Sequence, residues 1–282
     1  MKKLFIVLFC VCIICIGVCI GLKVKYDSTV EKGEEQFESE RDELKVFVTD
    51  SPIDHIAEPD EPEESEKPAE SESETSAPEA TVPLSATLDF EVMQQTNPDI
   101  CAWIEIEGTK VDYPVLQSPD NDDKYLKTAY DGSRYIGGAL FTQATYNSND
   151  FNDPVTVIYG HTMASGTLFG QLQKIYTSQA KFADHSEIKL YLPDGVRYYD
   201  VFAAVPFAPV HILHNYDFTV QYWYENFFGK VFDVRSLNAT FNEELAPQFG
   251  DRVLILSTCL NEDSSQRFLV MAVNRDDHAD NG

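Results

Sequence analysis

The sequence predicts a mainly β domain, a closed barrel or a sandwich interrupted by helices, carried behind an apolar N-terminal segment. Three observations support this. Eight short runs rich in β-branched and aromatic residues recur from about residue 100 onward. Turn chemistry separates them, as in Glu107-Gly108-Thr109 and Pro193-Asp194-Gly195. Beyond about Leu84 the composition changes from acidic and Pro/Ser/Glu-rich to mixed aromatic and aliphatic. Many short strands with regular turn signals make closed or two-sheet β architectures.

The first element is Leu4 to Leu22, an uncharged run of Leu, Ile, Val, Phe, Cys and Gly behind Lys2 and Lys3. It is long enough to cross a bilayer as a helix. A secretory signal is the competing reading, but its apolar region is normally shorter and no A-x-A-like site follows. Residues 1–22 are therefore expected to be a single-pass anchor in the cell membrane. Lys23 and Lys25 nearly balance Lys2 and Lys3, so the charge bias on orientation is slight. The acidic segment that follows would translocate readily, which puts the folded domain outside the cell.

Residues 23–86 are expected to be a disordered tether. From Asp27 to Glu79 there are 20 Asp or Glu against 4 Lys or Arg, a net of −16 out of the chain's −26. Pro52, Pro59, Pro62, Pro68 and Pro78 punctuate the stretch. It buries too little apolar surface to offset its ordering entropy, and its charges repel one another. The alternative here is a short juxtamembrane helix over Val30 to Val48. So acidic a chain is a poor match for nucleic acid.

The folded part is expected over 87–275, with a polar tail at 276–282. Leu88 to Gln95 reads as an amphipathic helix ended by Asn97-Pro98-Asp99. The strand-like runs are Cys101–Ile106, Val111–Val115, Gly138–Phe141, Val155–Tyr159, Glu187–Leu192, Val196–Val205, Arg252–Thr258 and Phe268–Val273. A helix is predicted over Thr167–Ile175, with Leu168, Phe169, Leu172 and Ile175 on one face. A second lies over Val220–Phe232, inside a long insertion from Pro206 to Gly250. Its aromatic stripe either seats the helix on the sheet or helps to wall a groove.

Four cysteines, Cys10, Cys12, Cys15 and Cys19, fall in the apolar run, which leaves Cys101 and Cys259 for the domain. Cys101 starts the first strand beside Ala102 and Trp103, a place for a small core side chain. Cys259 ends the apolar strand Val253-Leu254-Ile255-Leu256 and meets the polar loop Asn261 to Gln266. A thiol there is half exposed and rigidly placed, as a nucleophile must be. His161 also ends an apolar strand, behind Gly160, and an imidazolium beside a thiol favours the thiolate. Arg267 opens the last strand across the loop from Cys259. It cannot serve as a base, but it can donate several hydrogen bonds to a carbonyl or an oxyanion. Taken singly, these are a buried cysteine, a loop histidine and a solvated arginine.

Together they resemble the sortases. The resemblance rests on Tyr159-Gly160-His161, on Leu256-Ser257-Thr258-Cys259 and on Arg267 at the start of a final strand. Trp103-Ile104, Gly108-Thr109, Val111-Asp112-Tyr113-Pro114-Val115, Asp120-Asn121, Tyr125-Leu126 and Phe169-Gly170-Gln171-Leu172 extend it from about Leu88 to Val273. A helix before the first strand and a helical insertion before the cysteine strand make it most like class B. Ile255 stands in the place where the family usually has Thr before Leu, and Asn261 offers no further carboxylate.

The resemblance implies an eight-stranded β-barrel and a membrane-anchored cysteine transpeptidase that needs no cofactor. Cys259 would attack the carbonyl after Thr in a C-terminal sorting signal of the LPXTG or NPXTX kind, with His161 as acid/base and Arg267 on the oxyanion. Tyr159 and Ser257 would line the groove, and the Leu260 N–H would be an oxyanion donor. The implied partners are surface proteins that bear the signal and a cell-wall amine. The alternatives are a pilin lysine as acceptor, a hydrolase that uses water, and a non-catalytic surface binding domain.

Overall fold

The computed structural model describes residues 2–49, 88–259 and 265–277. Nine strands form one sheet: β1 Ile100–Glu105, β2 Asp112–Ser118, β3 Leu140–Gln143, β4 Val155–Tyr159, β5 Glu187–Leu192, β6 Gly195–Phe207, β7 Thr240–Phe241, β8 Val253–Cys259 and β9 Arg267–Asn274. Their order is β5-β1-β2-β3-β4-β8-β9-β6-β7, and β5 pairs again with β6. That last pairing closes eight strands into the expected barrel, leaving the two-residue β7 on its rim. The pairs β2–β3 and β4–β8 are parallel and the others antiparallel.

Each predicted strand is present within a few residues. β8 has no alternation because both its faces are covered. Leu254 and Leu256 point into the barrel, while Val253 and Ile255 join an outer cluster under the insertion. β9 does the same, with Phe268, Val270 and Ala272 inside and Leu269, Met271 and Val273 outside. A strand buried on both faces reads as a continuous apolar run.

Helix α2, Phe90–Thr96, is capped by Asp89, whose carboxylate accepts from the N–H groups of Glu91 and Val92. The helix expected from Thr167 is shorter. Leu168 has a φ of 52°, and helix α3 runs only over Leu172–Tyr176. A Cβ on Gly170 would collide with the Met163 carbonyl oxygen, so a tight turn occupies the first half. A further helix, α4 Gln179–Asp184, was not predicted. The insertion carries α5, Ile212–Asn215, and α6, Gln221–Phe232. On α6, Tyr224, Phe227, Phe228 and Val231 are buried on the outer cluster, while Tyr222 and Trp223 are exposed. The stripe seats the helix on the barrel.

The tether expectation needs correction over 23–49. Helix α1 spans Lys2–Thr49, and its second half docks on the barrel. Phe37 and Leu44 are buried in the same core as the barrel interior. The Phe37 ring lies 4.9 Å from Tyr135, 5.2 Å from Tyr130 and 5.9 Å from Tyr113. Tyr113 Oη donates to Glu38 Oε1 at 2.7 Å, and Tyr130 Oη donates to the Phe37 carbonyl at 3.1 Å. The acidic side chains suggested repulsion, but several of them face solvent or find donors while the apolar side docks. Residues 50–86 of the tether lie outside the described residues.

Of the anchor, the side chains of residues 2–14 lie outside the described residues, and Cys15 to Lys25 are exposed. Among the described residues no helix is long and apolar enough to cross a membrane. At the other end, Asp277 of the expected tail grips Arg252 through Nε and Nη2, at 2.6 and 2.8 Å. Residues 278–282 lie outside the described residues.

Candidate active site

Register brings the three singled-out residues together. In the parallel pair β4–β8, Tyr159 stands opposite Ser257, and the Gly160 N–H continues the ladder to the Ser257 carbonyl at 3.1 Å. His161 and Cys259 are each two residues further on, at the same open end of neighbouring strands. In the antiparallel pair β8–β9, Cys259 stands directly opposite Arg267. Arg267 Nη1 lies 3.7 Å from Cys259 Sγ.

Strand alternation then decides the face. Ser257 and Cys259 share the side of Val253 and Ile255, which is the outer side. There the insertion arches over the barrel wall and leaves a groove of about 310 Å³. The groove is lined by Tyr159, His161, Ser257, Thr258, Cys259 and Arg267 from strand ends, and by Pro209, Val210 and His211 from the insertion. Asp123, Leu126, Phe141, Gln143 and Gly160 complete it. The insertion therefore contributes its first residues to the groove, not α6. Tyr159 and Ser257, expected to line a substrate groove, are both on the wall of this one. Leu260 lies outside the described residues.

Gly160 is closely packed. A Cβ there would collide with Leu140 and come within 2.6 Å of the Phe169 ring. Without a Cβ the backbone fits between these side chains, and the next residue, His161, lines the groove. His161 Nε2 lies 2.9 Å from the Leu126 carbonyl oxygen. Since a carbonyl only accepts, Nε2 carries a proton.

Thr162 ties the two strand ends together, and the sequence offered no signal for it. Its Oγ1 donates to the Cys259 carbonyl at 2.8 Å and lies 2.6 Å from Thr258 Oγ1. With the Thr162 proton committed to the carbonyl, Thr258 is the donor of the second bond.

His211 lines the groove from the insertion. Its Nδ1 accepts from the His214 N–H at 3.1 Å, so Nε2 donates to Gln143 Oε1 at 2.9 Å. Burial, and then the neighbouring His214, hold its pKa below the usual histidine range. Burial pushes the Tyr159 hydroxyl well above the ordinary tyrosine value, so it remains a neutral phenol.

Cys101 is of another kind. It is buried, free, and donates through Sγ to the Val115 carbonyl at 3.4 Å. Burial pushes its thiol up to about 12. Cys259 is also free and only half-buried. Among the described residues no cluster of His, Cys, Asp and Glu could hold a metal ion.

Residues 104–275 match the Sortase domain family. The chain is 30% identical over 177 residues to a sortase B of Listeria monocytogenes, an alignment that spans 60% of this chain and 66% of that relative, just short of two thirds. Among solved structures, a mutant form of Clostridium perfringens sortase B superposes with a TM-score of 0.58 at 26% identity, covering 66% of this chain and 85% of that one. A Staphylococcus aureus sortase B–substrate complex superposes with a TM-score of 0.57 at 26% identity, covering 66% and 83%.

Proposed function

The chain belongs to the sortase family of cysteine transpeptidases, of the class B kind, and from that premise we propose that it cleaves a C-terminal sorting signal of surface proteins and transfers them to an amine of the cell wall. The observation that carries this reading is the Cys259–Arg267 cross-strand pair, set in a groove that His161 also lines. A substrate complex of a similar sortase B supports a substrate-binding role for the domain.

In this reaction the Cys259 thiolate attacks the carbonyl carbon after the threonine of an LPXTG- or NPXTX-like signal. The guanidinium of Arg267, with the Leu260 N–H, holds the oxyanion that develops. His161 gives its proton to the leaving amine as the peptide bond breaks, and a thioester remains on Sγ. An amine of the cell-wall precursor then attacks the thioester, loses a proton to the now neutral His161, and releases the thiolate with a new amide bond. Tyr159 and Ser257 line the channel along which the signal lies. The thiolate, the imidazole, the peptide and the incoming amine together account for every proton and bond in this sequence. The apolar run Leu4–Leu22 is the membrane end of this reading and rests on the sequence alone.

The test is a panel of sorting-signal peptides incubated with the enzyme, with and without candidate amines, and read by mass spectrometry. Cleavage after threonine with amine-dependent ligation supports the proposal. A product whose mass is the same with and without every amine indicates a hydrolase and overturns the transfer step.

A further inference from the structure

In acid/base catalysis by histidine, one ring nitrogen moves the proton while the other is held by a third group that fixes tautomer and ring orientation. A carboxylate or amide side chain usually does this, yet here the far nitrogen meets the main chain. His161 Nε2 donates to the Leu126 carbonyl oxygen at 2.9 Å. That carbonyl belongs to the last residue of a single turn of 3₁₀ helix over Lys124–Leu126, whose N–H donates to the Asp123 carbonyl at 3.2 Å.

The turn itself is held firmly. Tyr125 Oη donates to Asp99 Oδ2 at 2.7 Å, and Lys124 Nζ lies 2.7 Å from the same oxygen. Asn97 Nδ2 donates to Tyr125 Oη at 3.0 Å. From the other side, the Ala139 N–H donates to the Tyr125 carbonyl at 3.0 Å. Gly138 lies against the turn with a φ of 59°. A Cβ there would collide with the Tyr125 carbonyl oxygen and stand 2.8 and 2.9 Å from the carbonyl carbon and oxygen of Leu126. Only glycine lets this carbonyl stand where His161 finds it.

We propose that the Leu126 carbonyl is the orienting third member of this site: it holds His161 in the Nε2–H tautomer, with Gly138 as the positioning residue that leaves room for it. Nδ1 is then the nitrogen that exchanges the proton with the thiol and with the amines. When the imidazolium forms, its Nε2–H···O=C bond is charge-assisted and shorter, so the carbonyl stabilises the charged acid as well as aiming it. The Nε2 proton stays in place through the cycle. The Nδ1 proton goes to the leaving amine and is replaced from the incoming one. A carbonyl cannot take up a proton, so it orients without competing as a base.

This inference rests on the transpeptidase reading for its chemistry, but its test does not need turnover. The full chain, labelled with ¹⁵N-histidine and held in detergent micelles, is examined by long-range ¹H–¹⁵N correlation. The His161→Asn variant identifies the His161 signals. The expected result for the neutral ring is a protonated Nε2 and an unprotonated Nδ1. A protonated Nδ1, or an even mixture of the two tautomers, overturns the proposal even if peptides are cleaved. Gly138→Ala gives the second measurement. If folded by circular dichroism, it should lose the single tautomer and drop kcat about 10–100-fold, the scale of outer-shell partners to a catalytic group, with KM within about twofold. A folded Gly138→Ala enzyme that keeps both the Nε2–H tautomer and its kcat would contradict the role given to Gly138. Failure of transpeptidation with the tautomer intact would instead fall on the proposed function.

Discussion

Cys259 and Arg267 face each other across the β8–β9 ladder, with the guanidinium Nη1 3.7 Å from the thiol sulfur. The pairing is a property of register, so the two cannot drift apart without a slip that would turn every side chain of β9 to the opposite face. Arg267 also donates to the Gln266 carbonyl at 3.4 Å through the same nitrogen. A planar fork of donors anchored in this way can hold a carbonyl oxygen that a point charge would only attract. Arg267→Lys is expected to lower kcat about 10²–10³-fold, as loss of an oxyanion donor does, with little change in melting temperature. Steady-state kinetics on a cleavable sorting peptide checks it, and an unchanged kcat would make Arg267 an ordinary strand-end charge.

Thr162 is the covalent neighbour of His161 and the hydrogen-bonded neighbour of Cys259. Thr162→Val keeps the shape, removes the donor to the Cys259 carbonyl, and leaves Thr258 without its acceptor. A buried polar group stranded in this way costs about 1–3 kcal/mol. Part of that cost should appear as a fall in kcat of about tenfold or more. Thr162→Ser, which keeps the hydroxyl, should stay near wild type. Equal activity in the Val and Ser variants would mean that the strand ends are positioned without this link.

The docked half of α1 makes the domain larger than the barrel. Phe37→Ala removes a ring stacked among Tyr113, Tyr130 and Tyr135, for which a loss of about 3 kcal/mol is expected. In a domain of this size that corresponds to a fall in Tm of about 6–12 °C. A chain beginning near Leu84 should show a similar fall, because it uncovers the same three tyrosines. Differential scanning calorimetry of both variants decides it. An unchanged Tm would return residues 23–49 to the role of a tether.

The two domain thiols should differ greatly in reactivity. With its thiol pushed up to about 12, Cys101 is thiolate to only about one part in 10⁴ at pH 8, and it is buried as well. Cys259 opens onto the groove. Iodoacetamide on the native protein is expected to alkylate Cys259 and spare Cys101, and both should react after unfolding. Peptide mapping reads the result. Native-state labelling of Cys101 at a comparable rate would contradict the burial.

The barrel strands were legible because their signals are local. β-branched runs, turn residues and the doubly buried β8 all leave marks in the sequence. Cys259, His161 and Arg267 were legible as strand ends, and their grouping came through resemblance. That β4 lies parallel to β8, which sets His161 beside Cys259, is a pairing between distant segments that no local pattern encodes. The Leu126 carbonyl was hidden for a different reason, since every residue has a carbonyl and only the fold selects one. The second half of helix α1 is the alternative reading, a helix over Val30 to Val48, and charge in the composition weighs against it. The apolar residues Phe37 and Leu44 sit among acids, of which Glu38 finds a donor in Tyr113, and burial of a few large side chains is enough to dock the helix.

The most direct test of the central claim is the mass of the acyl-enzyme. The enzyme is mixed with a sorting-signal peptide in the absence of any amine, quenched in acid, digested and mapped. The account predicts a thioester that adds the peptide through its threonine carbonyl to the fragment bearing Cys259, discharged when an amine is supplied. It also predicts that Cys259→Ala is folded, forms no adduct and does not cleave the peptide. An adduct on another residue, or cleavage that survives in Cys259→Ala, would contradict it.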